Sequence, residues 1–231
     1  MNGALSNRSE AGKILAPRLR EFAGRADVIV LAVPRGGVIV GAAVARCLRV
    51  PIDVLVVRKL GVPDQEELAM GAIASGGVEF CDTVVIEALR ISDEEIQATV
   101  EREQQEIKRR EKRYRQDRPP PLLKDKIVIV VDDGLATGAT MRAGVQTVRL
   151  EQPRAIVAVA PVASSEAAAA LRREVAAVTT VITTPLLFAI GQYYRDFPPV
   201  TDDEVQAALT ECWRGDGRAD SRPHSHEQPP K

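Results

Sequence analysis

The sequence contains too few histidines for several common kinds of active site. Its 231 residues include two histidines, His224 and His226. Both lie in a polar C-terminal segment, residues 214–231, whose composition is typical of a disordered tail. We therefore do not expect a Ser-His-Asp triad or a histidine-ligated zinc ion.

Cysteine is also scarce. The chain has three cysteines, an odd number, and they are far apart in the sequence. Their spacing excludes a Cys-x-x-Cys metal site and argues against a disulfide framework. We expect buried, reduced thiols at Cys47, Cys81 and Cys212.

Neither excess charge nor a long apolar run is present. The formal net charge is −1, so the chain as a whole does not attract nucleic acid. No apolar run approaches the roughly 18 residues of a membrane span, and the N-terminus does not have the pattern of a signal peptide. These absences predict a cytoplasmic protein without a membrane partner. Two nucleotide-binding motifs are missing as well, Gly-x-x-x-x-Gly-Lys-Ser/Thr and Gly-x-Gly-x-x-Gly.

Short apolar runs, typical of buried strands, alternate with helical patterns along the chain. The predicted strands are 28–33, 52–57, 127–131, 156–160 and 178–182. The predicted helices are 9–22, 38–49, 139–150 and 165–175. This order predicts an α/β fold with a doubly wound, mostly parallel sheet flanked by helices. Ligands of such sheets bind beyond the carboxyl ends of the strands.

One segment, residues 61–121, interrupts this alternation, and we interpret it as a small hood inserted into a single domain over 1–213. It begins with a glycine-rich stretch and continues as a long helix, because Ser92 and Glu95 have the spacing of a capping box. Charges of both signs crowd the second half of that helix, which is typical of a solvated face. The alternative is a basic strip that contacts RNA or another subunit. Its cations are Lys108, Arg109, Arg110, Lys112, Arg113 and Arg115.

The run IVIVVDDGLATGATM, residues 127–141, carries most of the functional information. Its apolar part is typical of a strand buried on both faces, and the strand ends in two adjacent carboxylates, Asp132 and Asp133. A turn of small and hydroxylated residues then leads into a predicted helix. Such a turn directs several backbone N–H groups at one point, with the positive end of the helix dipole behind them. The run therefore predicts a phosphate site.

The two carboxylates suit the sugar of a ribose 5-phosphate, because they can accept hydrogen bonds from a vicinal diol. The run resembles the phosphoribosyl pyrophosphate signature of the type I phosphoribosyltransferases, in which a strand and two acids precede Thr-Gly-x-Thr. The resemblance implies that Asp132 and Asp133 hold the ribose hydroxyls. It implies that the 5′-phosphate is bound by Ala136, Thr137, Gly138, Ala139 and Thr140.

Motifs elsewhere are similar to those of a group of uncharacterised bacterial phosphoribosyltransferases. They are Val-Pro-Arg-Gly-Gly at 33–37, Val-Arg-Lys-Leu-Gly at 57–61, Glu-Leu-Ala-x-Gly-Ala at 67–72 and Asp-Phe-x-x-Val-x-Asp-x-Glu-Val at 196–205. The resemblance covers residues 5–213 and implies the type I fold, with a second hood element at about 184–213.

Two further loops carry cations. Arg35, Gly36 and Gly37 follow the first predicted strand, where glycines permit close approach of the backbone to a ligand and arginine suits phosphate oxygens. The resemblance implies that this loop binds pyrophosphate, whereas on its own it could be an ordinary turn. We expect Arg58 and Lys59 at the carboxyl end of a central strand, and the resemblance implies that they contact pyrophosphate as catalytic cations. A salt-bridged surface pair is the alternative.

The acceptor site is less defined by the sequence. The spacing Pro-x-x-Phe-x-x-Gly at 185–191 is similar to the 6-oxopurine phosphoribosyltransferases, in which the aromatic residue stacks on the base. The resemblance implies that Phe188 is a base platform, with core packing as the alternative. The lysine with which those enzymes read the purine has no counterpart at 160–164, and Asp196 is displaced by one position. A hypoxanthine-guanine assignment does not follow.

Together these patterns predict a Mg²⁺-dependent transferase that moves ribose 5-phosphate from phosphoribosyl pyrophosphate to a small nucleobase-like acceptor. Positioning and charge stabilisation would matter more than a covalent nucleophile, because the sugar becomes oxocarbenium-like. The metal would be held mainly by the diphosphate, near Asp132 and Asp133. One alternative is a non-catalytic regulator that senses the diphosphate or a nucleotide and binds RNA or protein. Another is hydrolysis or phosphorolysis in the same pocket. A homodimer is compatible with the sequence.

Overall fold

The computed structural model describes residues 5–63, 65–75, 78–116 and 118–215. In chain order the strands of this part are β1 Val28–Ala32, β2 Ile52–Val54, β3 Val57–Val62, β4 Gln65–Ala74, β5 Val78–Cys81, β6 Ile127–Val131, β7 Ala155–Ser164 and β8 Ala177–Thr184. The α-helices are α1 Arg8–Leu15, α2 Gly36–Leu48, α3 Thr83–Leu89, α4 Asp93–Arg115, α5 Ala139–Leu150, α6 Ser165–Leu171 and α7 Asp202–Gly215. Within the described ranges, 3₁₀ helices span Ala16–Phe22 and Ile190–Tyr193.

The central sheet has five parallel strands in the order β2-β1-β6-β7-β8. The middle strand, β6, is buried on both faces because helices cover both sides of the sheet. Its Ile129 packs in a core shared with α2 and α7, whereas its Val128 and Val130 pack against α5 and α6. The predicted doubly wound, mostly parallel sheet is confirmed.

The insertion begins earlier than predicted. The apolar run 52–57 was predicted as one strand, but β2 ends at Val54 and Val57 starts β3. Strand β3 belongs to a separate antiparallel sheet, β3-β4-β5, and β2 is an edge strand of the central sheet. The prediction that Arg58 and Lys59 end a central strand is therefore wrong. Both lie within β3.

The long helix α4 confirms the predicted capping box. Ser92 N–H donates to Glu95 Oε2 over 2.9 Å, and Glu95 N–H donates to Ser92 Oγ over 3.3 Å. At the other end of the helix, Arg115 reaches back to the central sheet, where its Nε lies 2.7 Å from Asp53 Oδ1. Both side chains are buried. This ion pair fastens the end of the insertion to β2.

Other boundaries differ from the predictions. The first predicted helix is α1 followed by a 3₁₀ turn, which has a proline near its start. Helix α6 ends at Leu171, and α7 extends to Gly215, so Arg214 belongs to a helix and not to the predicted tail. His224 and His226 lie outside the described residues. The expectation of buried thiols holds for Cys212, whereas Cys47 is exposed and Cys81 is only half-buried. Within the described ranges, no helix is long and apolar enough to cross a bilayer.

Candidate functional site

The two carboxylates of the 127–141 run lie directly after β6, the middle strand of the central sheet. Asp132 N–H donates to the Val159 carbonyl of β7 over 3.0 Å, and Asp132 Oδ1 accepts the N–H of Asp133 over 2.8 Å. Burial raises the pKa of Asp132 well above its usual value, and the negative charge of Asp133 raises it further. The environment of the pair therefore raises the free energy of the ionised form of Asp132.

Asp133 has a cationic partner that the sequence did not reveal. Arg8, in the first turn of α1, donates from Nε to Asp133 Oδ2 over 2.7 Å, and the two side chains are only 10% and 14% exposed. Tyr194 Oη donates to the Asp133 carbonyl over 2.7 Å. Arg8 and Asp133 are 125 positions apart, so no local pattern links them.

The loop after β1, residues 35–37, packs against Asp132 and Asp133. A Cβ added to Gly36 would lie 1.9 Å from Asp133 Oδ2, and one added to Gly37 would lie 2.8 Å from the Val131 carbonyl oxygen. Only glycine fits at these two positions without displacing its neighbours. Arg35, the cap of α2, is exposed, and the peptide bond that precedes it is cis.

The predicted phosphate loop connects the acids to α5. Leu135 is bound to β7 through two backbone hydrogen bonds, Leu135 N–H to the Val162 carbonyl and Ser164 N–H to the Leu135 carbonyl, each 2.9 Å long. Gly138 caps α5 with a φ of 74°, a left-handed conformation that favours glycine. The first N–H groups of α5 lack intrahelical carbonyl partners, as in any α-helix, and Thr137 and Thr140 are exposed beside them. An anion is favoured at such a helix start.

These elements form one continuous structure, which we call the cradle and define as residues 35–37 and 132–140. In it, the structure brings together the ribose, phosphate and pyrophosphate loops that the sequence predicted separately. Gly134 was not singled out from the sequence. A Cβ added there would lie 2.5 Å from Ile190 Cγ2, so the 190–193 turn packs on the acid turn. The turn Ile190–Tyr193 thus lies along one side of the cradle, and we call it the wall.

The predicted catalytic cations, Arg58 and Lys59, lie on β3 and outside the cradle. Arg58 Nε lies 2.8 Å from Glu103 Oε2 of α4, a carboxylate that is 10% exposed, whereas Arg58 itself is 36% exposed. Lys59 is exposed on the same strand. The antiparallel sheet of the insertion packs on α5, with Val57 against Gly144. In this conformation the guanidinium of Arg58 binds α4, which agrees with the salt-bridge alternative.

Phe188 is 82% exposed, so the alternative that it is a core residue is wrong. It lies between β8 and the 190–193 turn, close in sequence to the wall of the cradle. Leu186, two positions earlier, is also exposed.

A magnesium ion would find few protein ligands here. Across the described ranges, no three His, Cys, Asp or Glu side chains are grouped so as to hold a metal. Asp132 and Asp133 offer the oxygen atoms that Mg²⁺ prefers, but Asp133 already binds Arg8. These donors fit a metal whose remaining ligands come from a bound diphosphate.

Comparison with known proteins agrees with the geometry. A sequence model of the family described as "Phosphoribosyl transferase domain" matches residues 6–192. A relative from Mycobacterium tuberculosis strain H37Rv, named "Putative phosphoribosyl transferase Rv0571c", is 39% identical over 208 residues, which cover 90% of this chain and 47% of the relative. The chain thus spans about half the length of that relative. The crystal structure of TT1426 from Thermus thermophilus matches with a TM-score of 0.80 and 38% identity, covering 91% of this chain and 99% of TT1426.

Proposed function

Because the chain belongs to the phosphoribosyl transferase domain family, we propose that it transfers ribose 5-phosphate from phosphoribosyl pyrophosphate to a nucleobase-like acceptor and releases pyrophosphate. The observation that carries the proposal is the direct packing of the Arg35 to Gly37 loop on Asp132 and Asp133, in front of the N-terminus of α5. A sugar with a phosphate at one end and a diphosphate at the other needs these three elements side by side. The proposal includes a cytoplasmic location.

Each part of the cradle has a role in this reaction. Asp132 and Asp133 would accept hydrogen bonds from the ribose hydroxyls, and residues 136–140 would bind the 5′-phosphate through backbone N–H groups. Arg35 and the N–H groups of Gly36 and Gly37 would bind the pyrophosphate. The bond from the anomeric carbon to pyrophosphate breaks as the bond to an acceptor nitrogen forms, so the cradle acts by holding both ends of the sugar.

Charge stabilisation of the leaving group would come from cations outside the cradle. Arg58 and Lys59 are the proposed catalytic residues, and Arg58 would have to exchange Glu103 for pyrophosphate oxygens. Charge-assisted hydrogen bonds of this kind contribute about 1.5 to 3 kcal/mol each. When bound, magnesium would neutralise part of the diphosphate charge, with Asp132 and Asp133 near it.

The ion pairs of α4 argue against an RNA-binding regulator. Arg109 and Arg110 both bind Glu106, and Arg113 binds Asp203. Arg115, the last of these arginines, binds Asp53. The carboxylates that pair with these arginines would repel a nucleic-acid phosphate, which weakens the case for such a regulator.

The proposal is tested by measuring pyrophosphate release with phosphoribosyl pyrophosphate and magnesium across a panel of purines, pyrimidines and small amines. We expect release with at least one acceptor, and at least about a hundredfold loss in the Asp132→Asn/Asp133→Asn double variant, which removes the ribose acceptors. Glu151→Gln, at the opposite end of α5, is the matched control and should keep wild-type activity. Absence of diphosphate binding by the wild-type protein, or an unaffected double variant, would refute the proposal.

A further inference from the structure

The guanidinium of Arg8 is immobilised by contacts on several sides, although α1 lies outside the cradle. Its Nε donates to Asp133 Oδ2 over 2.7 Å, and its Nη1 donates to the Pro198 carbonyl over 2.8 Å. The Phe197 ring covers one face of the group, 3.6 Å from the Arg8 Cζ to the ring centroid. Arg8 is 8% exposed, so this arrangement does not belong to a solvated surface pair.

We propose that Arg8 is a positioning residue, which fixes the carboxylate of Asp133 so that one of its oxygens faces the ribose hydroxyls. The inference rests on the proposed function. Because Arg8 binds Oδ2, the other oxygen of Asp133, Oδ1, keeps both of its lone pairs for a hydroxyl, and the planar guanidinium sets the direction of that oxygen. A lysine could supply the charge at this position but not the fixed geometry.

Arg8 also changes the charge that the substrate meets. Asp132 and Asp133 present two carboxylates to a ligand that is itself an anion. Close like charges repel each other. One buried guanidinium beside Asp133 offsets one of the two negative charges.

The contacts of Arg8 link Asp133 both to the N-terminal segment, which begins at Leu5, and to residues 193–198. The N-terminal segment pairs with the C-terminal one, since Leu5 N–H donates to the Tyr193 carbonyl over 3.1 Å and Arg195 N–H donates to the Leu5 carbonyl over 2.9 Å. Tyr194 binds the Asp133 carbonyl and Phe197 covers the guanidinium of Arg8. Both belong to the same segment, residues 193–198. The position of Asp133 therefore depends on residues far from it in sequence.

The test is a double-mutant cycle on binding of phosphoribosyl pyrophosphate with magnesium, measured by calorimetry. We expect Arg8→Met to weaken binding about ten- to hundredfold and Arg8→Lys to weaken it less. In the Asp133→Asn background, Arg8→Met should change the affinity less than about twofold, because the group through which Arg8 acts is gone. Arg18→Met is the matched control, since Arg18 makes an exposed hydrogen bond to the Thr180 carbonyl, and it should bind like the wild type.

Three results separate the possible failures. If the wild type does not bind the diphosphate, the proposed function is wrong. If the wild type binds and Arg8→Met binds equally well, the positioning role is wrong, and the same holds if the losses from Arg8→Met and Asp133→Asn simply add. Melting temperatures identify variants that do not fold. Should Arg8→Met be one of them, Arg8→Lys takes its place in the cycle, with the same criteria.

Discussion

In the cradle, the two carboxylates are in contact with the backbone of the 35–37 loop, whereas in the cationic strand β3 the guanidinium of Arg58 contacts its partner only through a side-chain ion pair. A Cβ on Gly36 would collide with Asp133, so the loop leaves no free space beside that carboxylate. The Arg58 to Glu103 pair can exchange partners by rotation of a side chain that is 36% exposed. With the proposed roles, we expect the sugar site to be formed before the substrate binds and Arg58 to move to the leaving group.

The strongest test of a pre-formed cradle is Gly36→Ala. The added methyl group would lie 1.9 Å from Asp133 Oδ2 and 2.8 Å from Arg8 Nε, so the acid must shift from its place. We expect at least about a hundredfold loss of diphosphate affinity, because the ribose acceptor and its partner are both displaced. Isothermal titration with magnesium present measures it.

Gly24→Ala is the matched control for Gly36→Ala. Gly24 has a φ of 69°, but a Cβ added there meets nothing within 4 Å. Its cost should be confined to roughly 1 kcal/mol of stability, from the left-handed backbone, with binding unchanged. If Gly36→Ala bound as well as Gly24→Ala, the cradle would be an adaptable structure and the contrast with β3 would disappear.

The attachment of the insertion to the central sheet gives the second prediction. Arg115 binds Asp53 and donates to the Val54 carbonyl over 2.8 Å, with 6% and 9% of the Arg115 and Asp53 side chains exposed. Arg115→Met leaves a buried carboxylate without its cation, which costs about 3 to 5 kcal/mol. We expect the midpoint of thermal unfolding to fall by about 10 °C, measured by circular dichroism.

Arg110→Met provides the comparison for Arg115→Met within the same helix. Arg110 pairs with Glu106 at i,i+4 on the outer face, with 31% of the Arg110 side chain exposed. Its loss should cost only about 0.3 to 0.5 kcal/mol. Equal midpoints for the two variants would mean that the insertion is not fastened to the central sheet through Arg115.

The third prediction concerns the ion pair of β3 itself. Two arginines bind Glu103, Arg58 at 2.8 Å and Arg102 at 3.2 Å, and they differ in position, since Arg58 lies on β3 and Arg102 on α4. Arg58→Met should lower kcat about tenfold or more with little change in diphosphate affinity, if Arg58 acts on the leaving group only during transfer. Arg102→Met should leave both quantities within about twofold, because Arg102 is 59% exposed.

An equal loss of affinity and turnover in Arg58→Met would contradict this separation of roles. It would mean that Arg58 already contacts the diphosphate in the ground state. The cradle and β3 would then form one binding surface, and the Glu103 pair would belong only to the protein without substrate.

The larger part of the cradle, residues 132–140, could be predicted from the sequence because its signals are contiguous. One run of fifteen residues contains the buried strand, the acids and the glycine turn, and each is a local pattern. Strand β3 could not be placed in this way, since residues 52–57 are mostly apolar throughout and no local signal marks the change of sheet after Val54. Arg8 was out of reach for the same reason. Its role comes from a contact across 125 positions, and nothing in its own neighbourhood indicates it.

The smallest expected effect on stability comes from Phe188, which lies outside both regions. Since its side chain is 82% exposed, Phe188→Ala should change the free energy of unfolding by no more than about 0.5 kcal/mol. If Phe188 stacks on the acceptor base, the same change should raise the KM of the acceptor about two- to tenfold, with the KM of the diphosphate unaffected.

Leu186→Ala, in the same exposed loop, is the control and should change neither constant. Steady-state kinetics with the acceptor found in the panel would distinguish the two variants, and identical constants would remove Phe188 from the acceptor site. A selective rise would mean that Phe188 contacts the acceptor, so that the acceptor, like the leaving group, is bound by side chains outside the cradle.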